Sequence, residues 1–122
     1  MSRLILVVDD DQDILVTIED ILDAEGFPVR VARNGMEALE LTEEASPALI
    51  VLDLWMPVMT GQELVARLRQ RGDSTPILVM TAVQAGNSIA QELGAEGYIP
   101  KPFDIDRLLN EIERILGDSA ST

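Results

Sequence analysis

The chain reads as a single α/β domain built on a doubly wound parallel sheet. Three observations predict it. Short apolar runs alternate with segments of helical periodicity five times over, and most of those runs are continuous, as strands covered on both faces require. Polar chemistry also gathers where the runs end, which is where the ligand site of such a sheet lies. With 122 residues, 47% hydrophobic and 25% charged, there is room for one core flanked by helices and none for a second domain.

The elements follow in order. LILVV (4–8) is the first strand, and Ile14, Leu15, Ile18, Ile21 and Leu22 make the apolar stripe of the first helix, with Gly26 beyond its end. PVRVA (28–32) is the second strand, and Asn34 with Glu37 has capping-box spacing for the second helix. ALIVL (48–52) is the third strand; Thr60 and Glu63 repeat the capping spacing before a third helix that Gly72 follows. PILVM (76–80) is the fourth strand. The helix after it is weak, anchored mainly by Ile89 and Leu93 and lowered in propensity by Gly86. GYIP (97–100) is the fifth strand, and Ile105, Leu108, Leu109, Ile112, Ile115 and Leu116 form the stripe of a last helix that Gly117 closes. Residues 1–117 therefore read as the domain and 118–122 as a flexible tail, with no internal repeat or linker.

Composition excludes several function classes. The chain has no cysteine and no histidine, so thiol nucleophiles, disulfides, cysteine metal cages and the usual histidine base are all absent. A formal charge of −13 repels nucleic acid and acidic membrane surfaces. The apolar start, Met1 to Val8, runs into DDDQD without a small-residue cleavage site, and no segment approaches a membrane span; a cytoplasmic location is expected.

The strand ends carry the chemistry. In LIVLDLWMP, a run read as buried on both faces passes straight into Asp53, a position that is costly for a carboxylate unless something offsets or uses its charge. The first strand ends in Asp9 and Asp10, the fourth in Thr81, and the fifth runs into Lys101. Nucleotide-binding members of this architecture place a glycine-rich loop after the first strand. Here that loop is VVDDDQD, which repels phosphate unless a cation intervenes, and hard oxygen donors suit Mg²⁺. Asp11 and Asp13 read instead as caps of the first helix. Lys101 is the only lysine among nine basic residues, and a cis Lys101–Pro102 bond in IPKPF would aim it back over the strand ends.

VVDDDQD, VLDLWMP, MTA and GYIPKPF, in that order, resemble the motifs of the receiver domain of two-component response regulators, including its chemotaxis members, over essentially the whole chain. The resemblance implies a flavodoxin-like fold of five strands in order 2-1-3-4-5 with five helices. It implies that Asp53 is the phosphoacceptor, taking a phosphoryl group from a histidine kinase or phosphotransfer protein. It gives Mg²⁺, with Mn²⁺ as a substitute, to Asp9, Asp10, Asp53 and the backbone carbonyl of Trp55. Thr81, Ala82 and Lys101 match the residues around the phosphoryl oxygens, and Thr81 with Tyr98 match the switch that remodels the face of helix four, strand five and helix five for a downstream protein. Such a domain catalyses its own phosphorylation and dephosphorylation yet acts as a regulator. The apolar Trp55 and Val83, flanking the acceptor and the threonine, would hinder attacking water and prolong the phosphoryl state. The segment AVQAGNSIAQELGAEGY departs from the pattern, being shorter than the commonest family spacing, which alters the output face. Two alternatives stand beside this reading. One is a pseudo-receiver, an interaction module that is never phosphorylated. The other is a flavodoxin-like electron carrier, which needs a hydroxyl- or glycine-rich first loop and stacking aromatics, against 3% aromatics here.

Overall fold

The computed structural model describes residues 3–56, 58–82 and 86–117. Strands and helices alternate strictly: β1 (Ile5–Val8), α1 (Gln12–Ala24), β2 (Val29–Ala32), α2 (Gly35–Glu44), β3 (Leu49–Leu52), α3 (Gly61–Gln70), β4 (Ile77–Thr81), α4 (Gly86–Leu93), β5 (Gly97–Pro100) and α5 (Ile105–Leu116). The strands form one parallel sheet in the order β2-β1-β3-β4-β5. The fold class and strand order anticipated from the sequence are those observed. The tail at 118–122 and Val83 lie outside the described residues.

Parallel strands buried on both faces explain the continuous apolar runs. Leu6, Val8, Ile50, Leu52, Ile77 and Val79 pack beneath α2, α3 and α4, against Ala38, Leu64, Val65, Leu68 and Ala90. Their alternating neighbours Ile5, Val7, Leu49, Val51, Leu78 and Met80 meet Leu15, Ile18 and Leu22 of α1 and Leu108 and Ile112 of α5. Each such side chain contributes roughly 1.5–3 kcal/mol by leaving water, so the central strands are the rigid base of the molecule. The sheet edges, β2 and β5, are only half covered. In α4 the deepest anchor is Ala90, 3% exposed, with Ile89 and Leu93 partly buried around it.

Helix ends follow the sequence signals, with one difference. Asp11 caps α1 by accepting from the N–H groups of Asp13 at 3.0 Å and Ile14 at 3.4 Å. Thr60 and Glu63 form a reciprocal capping box on α3. At α2, Asn34 accepts from the Glu37 N–H at 2.9 Å, but the Glu37 carboxylate reaches back to the N–H of Arg33 at 2.9 Å rather than to that of Asn34. The Arg33 guanidinium, 3.5 Å from the same carboxylate, draws it one residue further.

Val58 has φ 72°, in the left-handed region, and is 78% exposed. A β-branched side chain is strained there and has almost no packing to offset the strain. Val58→Asn is expected to raise the unfolding free energy by about 1 kcal/mol, read from denaturant melts; a lower stability would contradict the strain.

Candidate functional site

The sheet register builds the site. Val8 pairs with Leu52, so the residues that follow, Asp9 and Asp53, emerge side by side at the carboxyl edge of the two central strands. The last ladder bonds fix them: Asp9 N–H donates to Ala32 O at 3.1 Å and Asp53 N–H to Val8 O at 2.9 Å. On the other flank Thr81 pairs with Pro100, and the N–H of Lys101 extends the ladder to Thr81 O at 3.0 Å. Lys101 is thereby carried to the same edge, and the Lys101–Pro102 peptide bond is cis.

Carboxylate oxygens of Asp9, Asp10 and Asp53 lie within 4.8 Å of one another. Asp9 is completely buried and Asp53 is 5% exposed, while Asp10 faces solvent. One Asp9 oxygen accepts from the Asp11 N–H at 2.9 Å. Its other oxygen, Oδ2, lies 2.7 Å from Lys101 Nζ, and Asp53 Oδ2 lies 3.5 Å from the same ammonium. The contact at Asp9 Oδ2 has the distance of an ion pair without the angle of a hydrogen bond, so a buried acceptor is left with unused capacity. Asp53 also accepts a long bond, 3.4 Å, from the N–H of Trp55.

Three carboxylates face one ammonium, and the electrostatics show the imbalance. Burial, then the neighbouring charge of Asp9, push the Asp53 carboxyl above its usual range; Lys101 and the Trp55 N–H oppose this only in part, and Asp10 adds to the rise. For Lys101, burial favours the neutral amine, but contact with Asp9 and the charge of Asp53 outweigh it and hold the ammonium above its ordinary value. A small divalent cation fits this donor set. All donors are hard oxygens, one of them buried and incompletely satisfied, and Mg²⁺–oxygen distances of about 2.1 Å place opposite ligands about 4.2 Å apart, slightly closer than the present spread.

The remaining residues singled out in the sequence fall as follows. Thr81 is buried, 1% exposed, and Ala82 after it is exposed. Trp55 is 55% exposed, two residues beyond Asp53. Tyr98, on β5, is half-buried against the core beneath α4. The sequence did not flag Gly61. Its N–H donates to Leu54 O at 2.9 Å, and a Cβ there would lie 2.7 Å from Asp53 O and 2.8 Å from Leu54 Cα. Folding the loop back so tightly onto its own strand end is what holds Asp53 in place. In sequence Gly61 looks like an ordinary first residue of a helix.

The raised Asp53 carboxyl has a consequence for stability. In the folded state Asp53 binds its proton more tightly than in the unfolded chain, so ionised Asp53 opposes folding at neutral pH and the opposition fades as pH falls through its folded pKa. In chelator, Asp53→Asn is expected to be the more stable protein at neutral pH, with the gap closing on acidification. A gap constant with pH in parallel denaturant melts would contradict this.

The family described as "Response regulator receiver domain" matches residues 5–113. This chain belongs to that family. Response regulator MprA of Mycobacterium ulcerans (strain Agy99) is 40% identical over 118 residues, covering 95% of this chain and 51% of the relative. The chain spans about half the length of the curated relatives it matches. Among solved structures, the chemotaxis protein CheY4 of Vibrio cholerae is 33% identical with a TM-score of 0.86, covering 94% of this chain and 99% of that one. The response regulator TrrA of Thermotoga maritima, solved in complex with Mg²⁺-BeF, is 30% identical with a TM-score of 0.84 over 94% of this chain and 99% of its own. The domain is thus a receiver of the two-component system, a family that interacts with histidine kinases or phosphotransfer proteins. No helix among the described residues is long and apolar enough to cross a membrane.

Proposed function

We propose that this receiver is a phosphorylation-dependent switch whose acceptor is Asp53. The observation that best supports it is the convergence of the Asp9, Asp10 and Asp53 carboxylates with the Lys101 ammonium at one sheet edge. Among the three acids Asp53 suits the role of nucleophile. Asp9 is fully buried and engaged by Lys101 and the Asp11 N–H, and Asp10 is exposed and free to orient, whereas Asp53 is confined yet retains an opening to solvent.

Asp9, Asp10, Asp53 and the Trp55 carbonyl would hold Mg²⁺, or Mn²⁺ in its place, which supplies charge neutralisation and orientation to the phosphoryl oxygens. A carboxylate oxygen of Asp53 forms the O–P bond as the P–N bond of the donor's phosphohistidine breaks, and the departing imidazole keeps the bonding pair and takes a proton. Lys101 turns from Asp9 toward a phosphoryl oxygen, the Thr81 hydroxyl donates to another, and the small Ala82 leaves the approach open. The new charge on Asp53 then biases Thr81 and Tyr98, remodelling the α4, β5 and α5 face for a downstream protein. The donor is a sensor histidine kinase or phosphotransfer protein. The charge of −13 argues against direct nucleic-acid contact by this chain, and residues 1–117 would act as the domain in the cytoplasm, with 118–122 as its tail.

The indole of Trp55 provides the test. The residue is exposed, and its backbone N–H donates to Asp53 Oδ1 over 3.4 Å, which ties the ring's position to the acceptor. Mg²⁺ is expected to change its emission saturably, and beryllofluoride, a phosphoryl mimic, to change it again only when Mg²⁺ is present. Three carboxylates exclude an anion until a divalent cation offsets them. An equally strong beryllofluoride response in chelator would refute this electrostatic account.

A further inference from the structure

The side of the molecule formed by α2 and α3 carries a feature unrelated to phosphoryl chemistry. The two helices run parallel and leave between them a groove of about 390 Å³, lined by Met36, Leu39, Glu40, Glu43, Arg67 and Arg71 among others. One wall, α2, presents the acids; the other, α3, presents the bases. Met36 is an exposed hydrophobic side chain, 45% accessible, and Leu39 is half-buried beside it. Glu43 and Arg71 stand at the same height, 3.4 Å apart across the groove. Glu40 and Arg67, one helical turn nearer the amino-terminal ends of their helices, have no ion-pair partner among the described residues.

We propose that this groove is a docking surface for a second copy of the same chain, forming a two-fold dimer. A two-fold axis laid along the groove, parallel to both helices, exchanges the walls without changing height. Each α2 then faces the α3 of the second copy, Glu40 opposite Arg67 and Glu43 opposite Arg71, twice over, with the Met36 and Leu39 side chains meeting about the axis. An isologous interface has to be complementary to itself, and a patch with acids on one wall and matching bases on the other meets that condition. Charge elsewhere points to the same face. The chain carries −13 overall, so most approaches of two copies are repulsive. Two of its nine basic residues, Arg67 and Arg71, line this groove, and Arg30 and Arg33 offset acids of the adjoining helix by pairing with Glu44 and Glu37 of α2. The bases on one wall offset the acids on the other, and at physiological ionic strength the remote charges are screened beyond about 8 Å while the facing pairs are not.

Charge reversals test the arrangement, and the substituted positions are exposed, so the fold tolerates them. Sedimentation equilibrium of the wild-type chain is expected to show a reversible dimer. Arg67→Glu and Glu40→Arg, each alone, place like charges opposite each other and are expected to weaken self-association about tenfold or more. Mixing the two single variants restores opposite charges at both symmetry-related pairs, and the mixture is expected to form a one-to-one heterodimer while neither variant dimerises alone. A wild-type chain that stays monomeric to millimolar concentration would overturn the proposal. So would reversals that leave the dimer unchanged, or a mixture that fails to associate. Circular dichroism of each variant establishes that loss of association is not loss of fold.

Discussion

Asp53→Asn is expected to abolish phosphorylation of the chain by acetyl phosphate, with no acid-stable substitute appearing elsewhere. Asparagine keeps the shape of the side chain and can still accept from the Trp55 N–H, so the site persists without its nucleophile. Neither neighbour can take over. Asp9 has no exposed surface and is held at 2.7 Å by Lys101, and Asp10 is exposed while the ammonium that would steady a phosphoryl oxygen pairs with Asp9 and Asp53. Because the substitution is also expected to stabilise the protein in chelator, lost labelling cannot be put down to unfolding. Labelling at the wild-type level in this variant would mean that another residue is the acceptor.

The other large effect concerns Gly61→Ala. A single methyl group at this position would sit 2.7 Å from the carbonyl oxygen of Asp53 and 2.8 Å from Leu54 Cα, and both obstacles are backbone. No rotamer change relieves such a contact. Either α3 moves off the sheet, exposing Leu64 and Leu68, or the β3 end shifts and carries Asp53 with it. Overpacking in a tight interior typically costs 1–3 kcal/mol, and a clash with fixed backbone places this variant at or above about 3 kcal/mol. Urea melts give the stability, and Mg²⁺ titration of the Trp55 emission gives the site: both are expected to be impaired together. A variant of wild-type stability and cation response would show that the loop is not fastened as described.

The sequence made most of this architecture legible for a simple physical reason. In a parallel sheet, every strand's carboxyl end lies on one edge, so Asp9, Asp10, Asp53, Thr81 and Lys101 were brought together by strand order alone. Strand bounds were slightly long at the start: Pro28 and Pro76, included in the apolar runs, have no N–H to give to a ladder and stand just before β2 and β4. What could not be read was side-chain choice within the cluster. The motif assigned Lys101 to the phosphoryl group and Asp9 to the metal, yet in the structure the ammonium sits closer to Asp9 than to Asp53, as burial of the Asp9 carboxylate demands a counter-charge. Ala90 carries no periodic signal because it is small, though it seats α4. The left-handed backbone at Val58 and the close approach at Gly61 depend on how one loop folds back on its strand, and no local pattern encodes that.

Under the proposed function, Asp53 accepts a phosphoryl group at a site that a divalent cation completes. Intact-mass measurement of the wild-type chain with acetyl phosphate tests it most directly, with Mg²⁺ in one sample and chelator in the other. The expected result is the added mass of a single phosphoryl group in Mg²⁺ only, mapping after borohydride reduction of the acyl phosphate to position 53. Equal labelling in chelator, a group at another residue, or no adduct at saturating Mg²⁺ would contradict it.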